Sequence, residues 1–179
     1  MLKNVLTFGG IAGFVFILWM TFLYTACYNN PNYEGSLWLG YGSMIVAFAF
    51  IFVGVRNYRE KYNNGTITFG KAFLVGLYIA LIGSTVYVGA WLVDFYGFMP
   101  DFMDKYVAHT LSQMKARGAS PAEIAKQKAD MANYIEMYKS PFGVIILTYI
   151  EVLPVGLLIA LIAALVLKKK PAGDNAAIA

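Results

Sequence analysis

Four long stretches of this chain carry almost no charge, and short charged segments separate them. No Asp, Glu, Lys or Arg falls between Lys3 and Glu34, between Glu34 and Arg56, or between Lys71 and Asp94. A fourth stretch, from Phe142 to Leu167, is broken only by Glu151. A helix rises about 1.5 Å per residue, so roughly 20 residues cross a hydrocarbon core about 30 Å thick. Each stretch is long enough for one crossing and too short for two. The pattern predicts spans near 5–27, 36–55, 72–95 and 142–167. The runs are continuously apolar, whereas strands of a membrane barrel alternate over about ten residues. A helix also satisfies its own backbone in lipid. The expected fold is an all-α integral membrane protein: four transmembrane helices in a single domain over residues 1–179, with a tail at 168–179.

The polar segment 99–140 predicts a helical hairpin outside the membrane, between the third and fourth spans. Pro100 and Asp101 open its first helix, and Met103, Val107, Leu111 and Met114 form one apolar stripe. Arg117-Gly118 closes that helix as a basic last turn followed by glycine. Ser120-Pro121-Ala122-Glu123 is a capping box with proline at the first helical position, and Ile124, Met131, Ile135 and Tyr138 give the second stripe. About 40 residues cannot bury an independent core, so the stripes are expected to pack on each other and on the mouth of the bundle.

Composition agrees with a membrane protein and narrows the chemistry. The chain is 59% hydrophobic and 13% charged, against about 25% charged in soluble domains. That composition excludes intrinsic disorder. One cysteine excludes a disulfide framework or a multi-thiolate metal site, and a net charge of +4 is too diluted for nucleic-acid binding. Tyr24 stands where a lipoprotein cleavage site needs a small aliphatic residue, which argues against lipidation of Cys27.

The positions of the charges orient the chain. Lys3, Arg56, Arg59, Lys61, Lys71, Lys168, Lys169 and Lys170 fall on the side of the termini, against Glu60 and Asp174, for +6; the remainder sums to −2. The positive-inside bias then places both termini in the cytoplasm. Tyr28, Tyr33, Trp38 and Trp91 fall at outer span ends, and Tyr58 and Tyr62 at an inner one, as interface anchors do. Between the second and third spans, Asn63-Asn64-Gly65 signals a turn and Thr66-Ile67-Thr68 a short extended piece. Arg56, Arg59, Lys61, Lys168, Lys169 and Lys170 are expected to meet anionic headgroups, each worth about 1 kcal/mol near the surface.

Little points to catalysis. Asp101, Lys105, His109 and Ser112 lie on one helix row without the nucleophile–base–orienter geometry of a hydrolase. Met99, Met103, Met114, Met131 and Met137 crowd the same segment; Met103, Met114 and Met131 occupy its apolar stripes, where methionine fills gaps, and this favours packing over a Cu(I) site. No catalytic residue, metal ligand or cofactor is expected. The echo of Thr7-Phe8-Gly9 in Thr68-Phe69-Gly70 suggests a repeat, but three matching residues fall within chance.

Glu151 is the one ionisable residue deep in a span. It lies about ten residues, or roughly 15 Å, beyond Pro141, close to the midplane. A charged carboxylate there costs about 2.5–3.5 kcal/mol. At matching depth the other spans offer Trp19, Thr21, Ser43, Ser84 and Thr85, all hydrogen-bond donors and none basic. The expectation is a Glu151 that keeps its proton and is hydrogen-bonded within this set. Pro154 breaks the helix bonding nearby by leaving the Ile150 carbonyl without its donor. Gly156, Ala160 and Ala164 occupy the opposite face of the same helix, and Gly9 and Gly13 give the first span a similar strip for close packing.

Several segments, LGYGSM at 39–44, IFVGVRNYRE at 51–60, GTITFGKAF at 65–73, PDFMDKY at 100–106 and EVLPVGLLIALIAALVL at 151–167, resemble a bacterial membrane family. It is known as domain of unknown function 4199 (DUF4199). The resemblance implies a four-helix inner-membrane protein of Bacteroidetes-type bacteria; it implies no activity and assigns no residue a role. The residues point to a multi-pass protein that packs with membrane lipids, a second copy of itself or other membrane proteins, without catalysis. A proton-linked small-solute transporter or channel component using Glu151 is the alternative.

Overall fold

Four helices long and apolar enough to cross a membrane fall on the four long apolar stretches. The computed structural model describes residues 1–23 and 37–170. In chain order the helices are α1 (Leu2–Leu23), α2 (Leu37–Tyr62), α3 (Phe69–Val93), α4 (Phe102–Ala116), α5 (Pro121–Tyr138) and α6 (Pro141–Leu167). There is no strand among the described residues. Cys27, Tyr28, Tyr33 and the tail beyond Lys170 lie outside them. The first helix begins at Leu2, residues 24–27 of the expected first span lie outside the described residues, and α2 runs on past residue 55 to Tyr62. Its last turn carries Arg59 and Lys61, which suit a helix C-terminus.

The chain divides into two compact units rather than behaving as one: residues 1–87 with 149 onward, and Val88–Thr148. The first unit is held by small residues. In lipid there is no hydrophobic drive between helices, so close van der Waals contact does the work. A Cβ added at Gly9 would lie 2.7 Å from Ile82 Cβ, and one at Gly13 would lie 2.6 Å from Val86 Cβ. Backbone of α1 therefore sits directly on side chains of α3. A Cβ at Gly76 would meet Ala160 Cβ at 3.0 Å, and one at Gly156 would meet Ala80 Cβ at 2.9 Å. Thus α3 also fills the small-residue face of α6, where Ala160 and Ala164 are fully buried. The core beside these contacts is Phe16, Phe48, Ile51, Ile79 and Val152, with the Phe16 and Phe48 rings edge-to-face at 5.2 Å.

Polar side chains fasten the end of this unit where α1 begins and α2 ends. Asn4 is 2% exposed; its Nδ2 donates to the Gly54 carbonyl at 2.9 Å, and its Oδ1 accepts from Asn57 Nδ2 at 2.5 Å. Asn4→Ala strands the Asn57 amide, and should lower stability by about 1–2 kcal/mol in a micelle unfolding titration. Asn64 and Gly65 turn the chain with φ of 51° and 74°, and the Gly65 N–H reaches back to the Arg59 carbonyl at 2.9 Å. Ile67, 1% exposed, then exchanges two backbone hydrogen bonds with Lys169, at 2.9 and 2.8 Å. The α2–α3 loop and the end of α6 are thereby clasped together. Gly9 is buried against α3 while Gly70 is exposed with open space around it, so the two Thr-Phe-Gly triplets serve different purposes.

The second unit contains α4 and α5, joined by a turn at Gly118. Its first helix ends in a Schellman motif: Gly118 has φ of 79°, and the Gly118 and Ala119 N–H groups bond to the Lys115 and Met114 carbonyls at 3.0 Å. The capping box on α5 is complete. Met131 is buried, and Met103 and Met114 are half-buried, as packing side chains. A π-helical turn, Asp94–Phe98, follows α3 and leads into an aromatic cluster. Trp91 meets Phe102 edge-on at 4.9 Å, and Phe95 meets Tyr138 at 5.3 Å.

Ser120 donates to Glu123 from both its backbone N–H, at 2.7 Å, and its hydroxyl, at 2.8 Å. These two bonds hold the Glu123 carboxyl below its ordinary value of 4.5. A depressed folded-state value means that the contribution to α5 is whole above the ordinary value and is lost as pH falls through the depressed one. An NMR titration of Glu123 in the intact chain should give a value below 4.5, and Ser120→Ala should return it toward that value.

Candidate intramembrane site

Glu151 does not enter the hydroxyl and indole set expected around it. It lies on the exposed face of α6, while Val152, one residue on, is fully buried in the core. Among the described residues, no hydrogen bond or ion pair joins Glu151 to Trp19, Thr21, Ser43, Ser84 or Thr85. The reason is rotational. Gly156 and Ala160 pin one face of α6 to α3, and Glu151 projects about 140–180° away from them at 100° per residue.

The other members of the set find partners elsewhere or none. Thr21 donates to the Ile17 carbonyl at 2.9 Å, Ser43 to Gly40 at 2.6 Å and Thr85 to Leu81 at 2.8 Å. These are back-bonds to the residue's own helix, which spend the hydroxyl locally. Thr85 also pairs with the Tyr149 hydroxyl at 2.8 Å, a contact between α3 and α6 that the sequence reading missed. Tyr149 precedes Glu151 by two residues, so an aromatic hydroxyl at that depth was the available signal. Trp19 Nε1 and Ser84 Oγ are buried without a partner among the described residues. Pro154 is exposed and lies inside a continuous α6.

The basic residues separate into two groups. Arg59 is turned inward: its guanidinium donates to the Leu167 carbonyl at 3.0 Å and pairs with Glu60 at 2.7 Å, with only 16% of the side chain exposed. It caps the C-terminus of α6, where the helix dipole favours a cation, so its charge is not free for a headgroup as expected. Arg56, Lys61, Lys168, Lys169 and Lys170 remain exposed. Tyr58 is buried, not an interface anchor; its ring stacks on Tyr62 at 5.8 Å and lies 5.6 Å from Lys71 Nζ.

Two open clefts lie among the described residues. One of about 500 Å³ at the α4–α5 turn is lined by Arg117, Lys126, Glu123 and Asp130 among others, opposite charges that select no single ligand sign. The other, about 330 Å³, lies between α1 and α2 and is walled by Val15, Leu18, Trp19, Trp38 and Val46. On these helices, then, the arrangement consists of three back-bonded hydroxyls at Thr21, Ser43 and Thr85, the Thr85–Tyr149 pair, the unpartnered Ser84 hydroxyl and Trp19 indole, an apolar groove and one outward carboxyl. His109 in α4 is engaged by Gln113 Nε2 at 3.0 Å.

Four helices long and apolar enough to cross a membrane give this chain the character of a membrane protein. The chain belongs to the family described as protein of unknown function (DUF4199), which matches residues 7–169. No curated protein and no solved structure matches it.

Proposed function

We propose that this chain is a multi-pass protein of the bacterial inner membrane that acts without catalysis, by packing against lipids and other membrane proteins. Both termini face the cytoplasm and the α4–α5 hairpin faces outward, a topology supported by the excess of Lys and Arg beside the termini. The observation that carries the reading is the distribution of polar and apolar groups in the spans. The interior of the first unit is filled by Phe16, Phe48, Ile51, Ile79 and small residues, whereas large apolar side chains such as Phe14, Ile45, Val46 and Leu158 face outward. The groove between α1 and α2 opens to hydrocarbon and suits a lipid acyl chain.

Transport by way of Glu151 is the competing reading, favoured by a lone acid near the expected midplane, two residues along the helix from the Tyr149 that pairs with Thr85. Proteoliposomes decide between the two. A pH-driven uptake of small solutes that disappears in Glu151→Gln would overturn the packing reading; no flux, together with specific crosslinks to membrane neighbours, is the expected result.

A further inference from the structure

Glu151 heads a stripe that nothing among the described residues covers. Glu151, Pro154, Leu158, Leu161 and Leu165 follow one another at spacings of three and four, and all five are exposed. Ile162 and Val166 flank them, 43% and 66% exposed. This is the 3.5-residue repeat of a left-handed helix pair, with a single polar residue at one seam position. The opposite face of α6 is already closed by α3 through Gly156 and Ala160, so a second helix has only this side to occupy. Of the four spans, α6 is also the least covered, with 28% of its most apolar stretch buried against 44% in α3.

The carboxyl restricts what that second helix carries. An unpaired polar group in hydrocarbon costs several kcal/mol, on the order of a lost desolvated hydrogen bond. A protonated carboxyl has one O–H donor and one carbonyl acceptor, so an identical group satisfies it completely. Every copy of the chain inserts the same way round. A two-fold axis relating two copies therefore runs along the membrane normal and brings Glu151 to the depth of its own counterpart. No Lys or Arg of this chain lies at that depth; Arg56, Lys71 and the Lys168–Lys170 run flank span ends.

We propose that the chain pairs with a second copy of itself through the exposed α6 stripe, with the two Glu151 carboxyls hydrogen-bonded to each other at the membrane midplane. This names the partner that the packing reading leaves open, and it rests on that reading.

The test uses the full chain in lipid vesicles on a Cys27→Ser background, with Leu158→Cys or Leu165→Cys on the stripe and Ile45→Cys, on an exposed face of α2, as control. Oxidative crosslinking should yield dimers from the two stripe positions and none from position 45. Single-molecule photobleaching across a protein-to-lipid series should show a dimer. Glu151→Ala should weaken it roughly tenfold, the loss of one to two interhelical hydrogen bonds. Glu151→Gln, whose amide also donates and accepts, should stay within about threefold of the parent. A monomer at all densities, crosslinking through position 45 instead, or an unchanged dimer in Glu151→Ala each overturns the proposal. A monomer without flux overturns it while leaving the packing reading intact; pH-driven flux into the same vesicles overturns the packing reading itself.

Discussion

Gly13→Leu is expected to lower the stability of the chain by about 2–3 kcal/mol, at the upper end of the cost of overpacking. A Cβ at this position would lie 2.6 Å from both Cβ and Cγ1 of Val86. Those atoms are the stem of a β-branched side chain, not the far end of a flexible one, so relief requires α1 and α3 to separate. Separation breaks the neighbouring contact as well, because Gly9 is equally tight against Ile82. Gly10→Leu, one residue further along the same helix, faces open space within 4 Å and should change stability by under ~0.5 kcal/mol. Unfolding in mixed micelles followed by far-UV circular dichroism measures both. Equal effects at the two positions would show that helix propensity, not the α1–α3 contact, is being read.

Phe48→Ala should cost about 3 kcal/mol, the lower edge of the usual range for removing a buried Phe. Phe48 is fully buried on α2 and touches each of the other three helices of its unit. It meets Phe16 of α1 edge-on at 5.2 Å. Its ring edge is 3.3 Å from where a Cβ at Gly83 of α3 would lie, and 2.9 Å from one at Gly156 of α6. The lower edge of the range applies because unfolded helices in lipid keep an apolar environment. What is lost is the dispersion of a close-packed interior rather than transfer from water. Phe50→Ala, half-buried on the same helix, should cost less than half as much in the same measurement.

Those two sites also separate what was legible in the sequence from what was not. The capping box at Ser120–Glu123 and the close of α4 at Gly118 were readable because their chemistry is local: a side chain satisfies a backbone group within three or four residues. The small-residue strips at Gly9, Gly13, Gly156 and Ala160 were visible as strips, but their partner on α3 was not. Two roles ran against expectation. Arg59 spends its charge on the Leu167 carbonyl 108 residues away, and Tyr58 is buried beneath Lys71. The Asn4–Asn57 bond joins residues 53 apart, and no periodicity announces a contact at that distance.

Glu151 marks the boundary most clearly. Its depth followed from counting residues, since a hydrocarbon core of about 30 Å imposes a length on every span. The same count yielded four crossings and, with the Lys and Arg positions, an expected orientation. Its direction did not follow. A soluble helix announces its buried face through an apolar stripe on a polar background. These spans are apolar all round because lipid accepts the side that protein does not, so the pattern carries no azimuth. Only the contacts of α3 with Gly156 and Ala160 rotate α6 about its axis, and that rotation turns Glu151 outward. The sequence by itself determined how many helices are long and apolar enough to cross a membrane; the tertiary packing alone decided which way each of them faces.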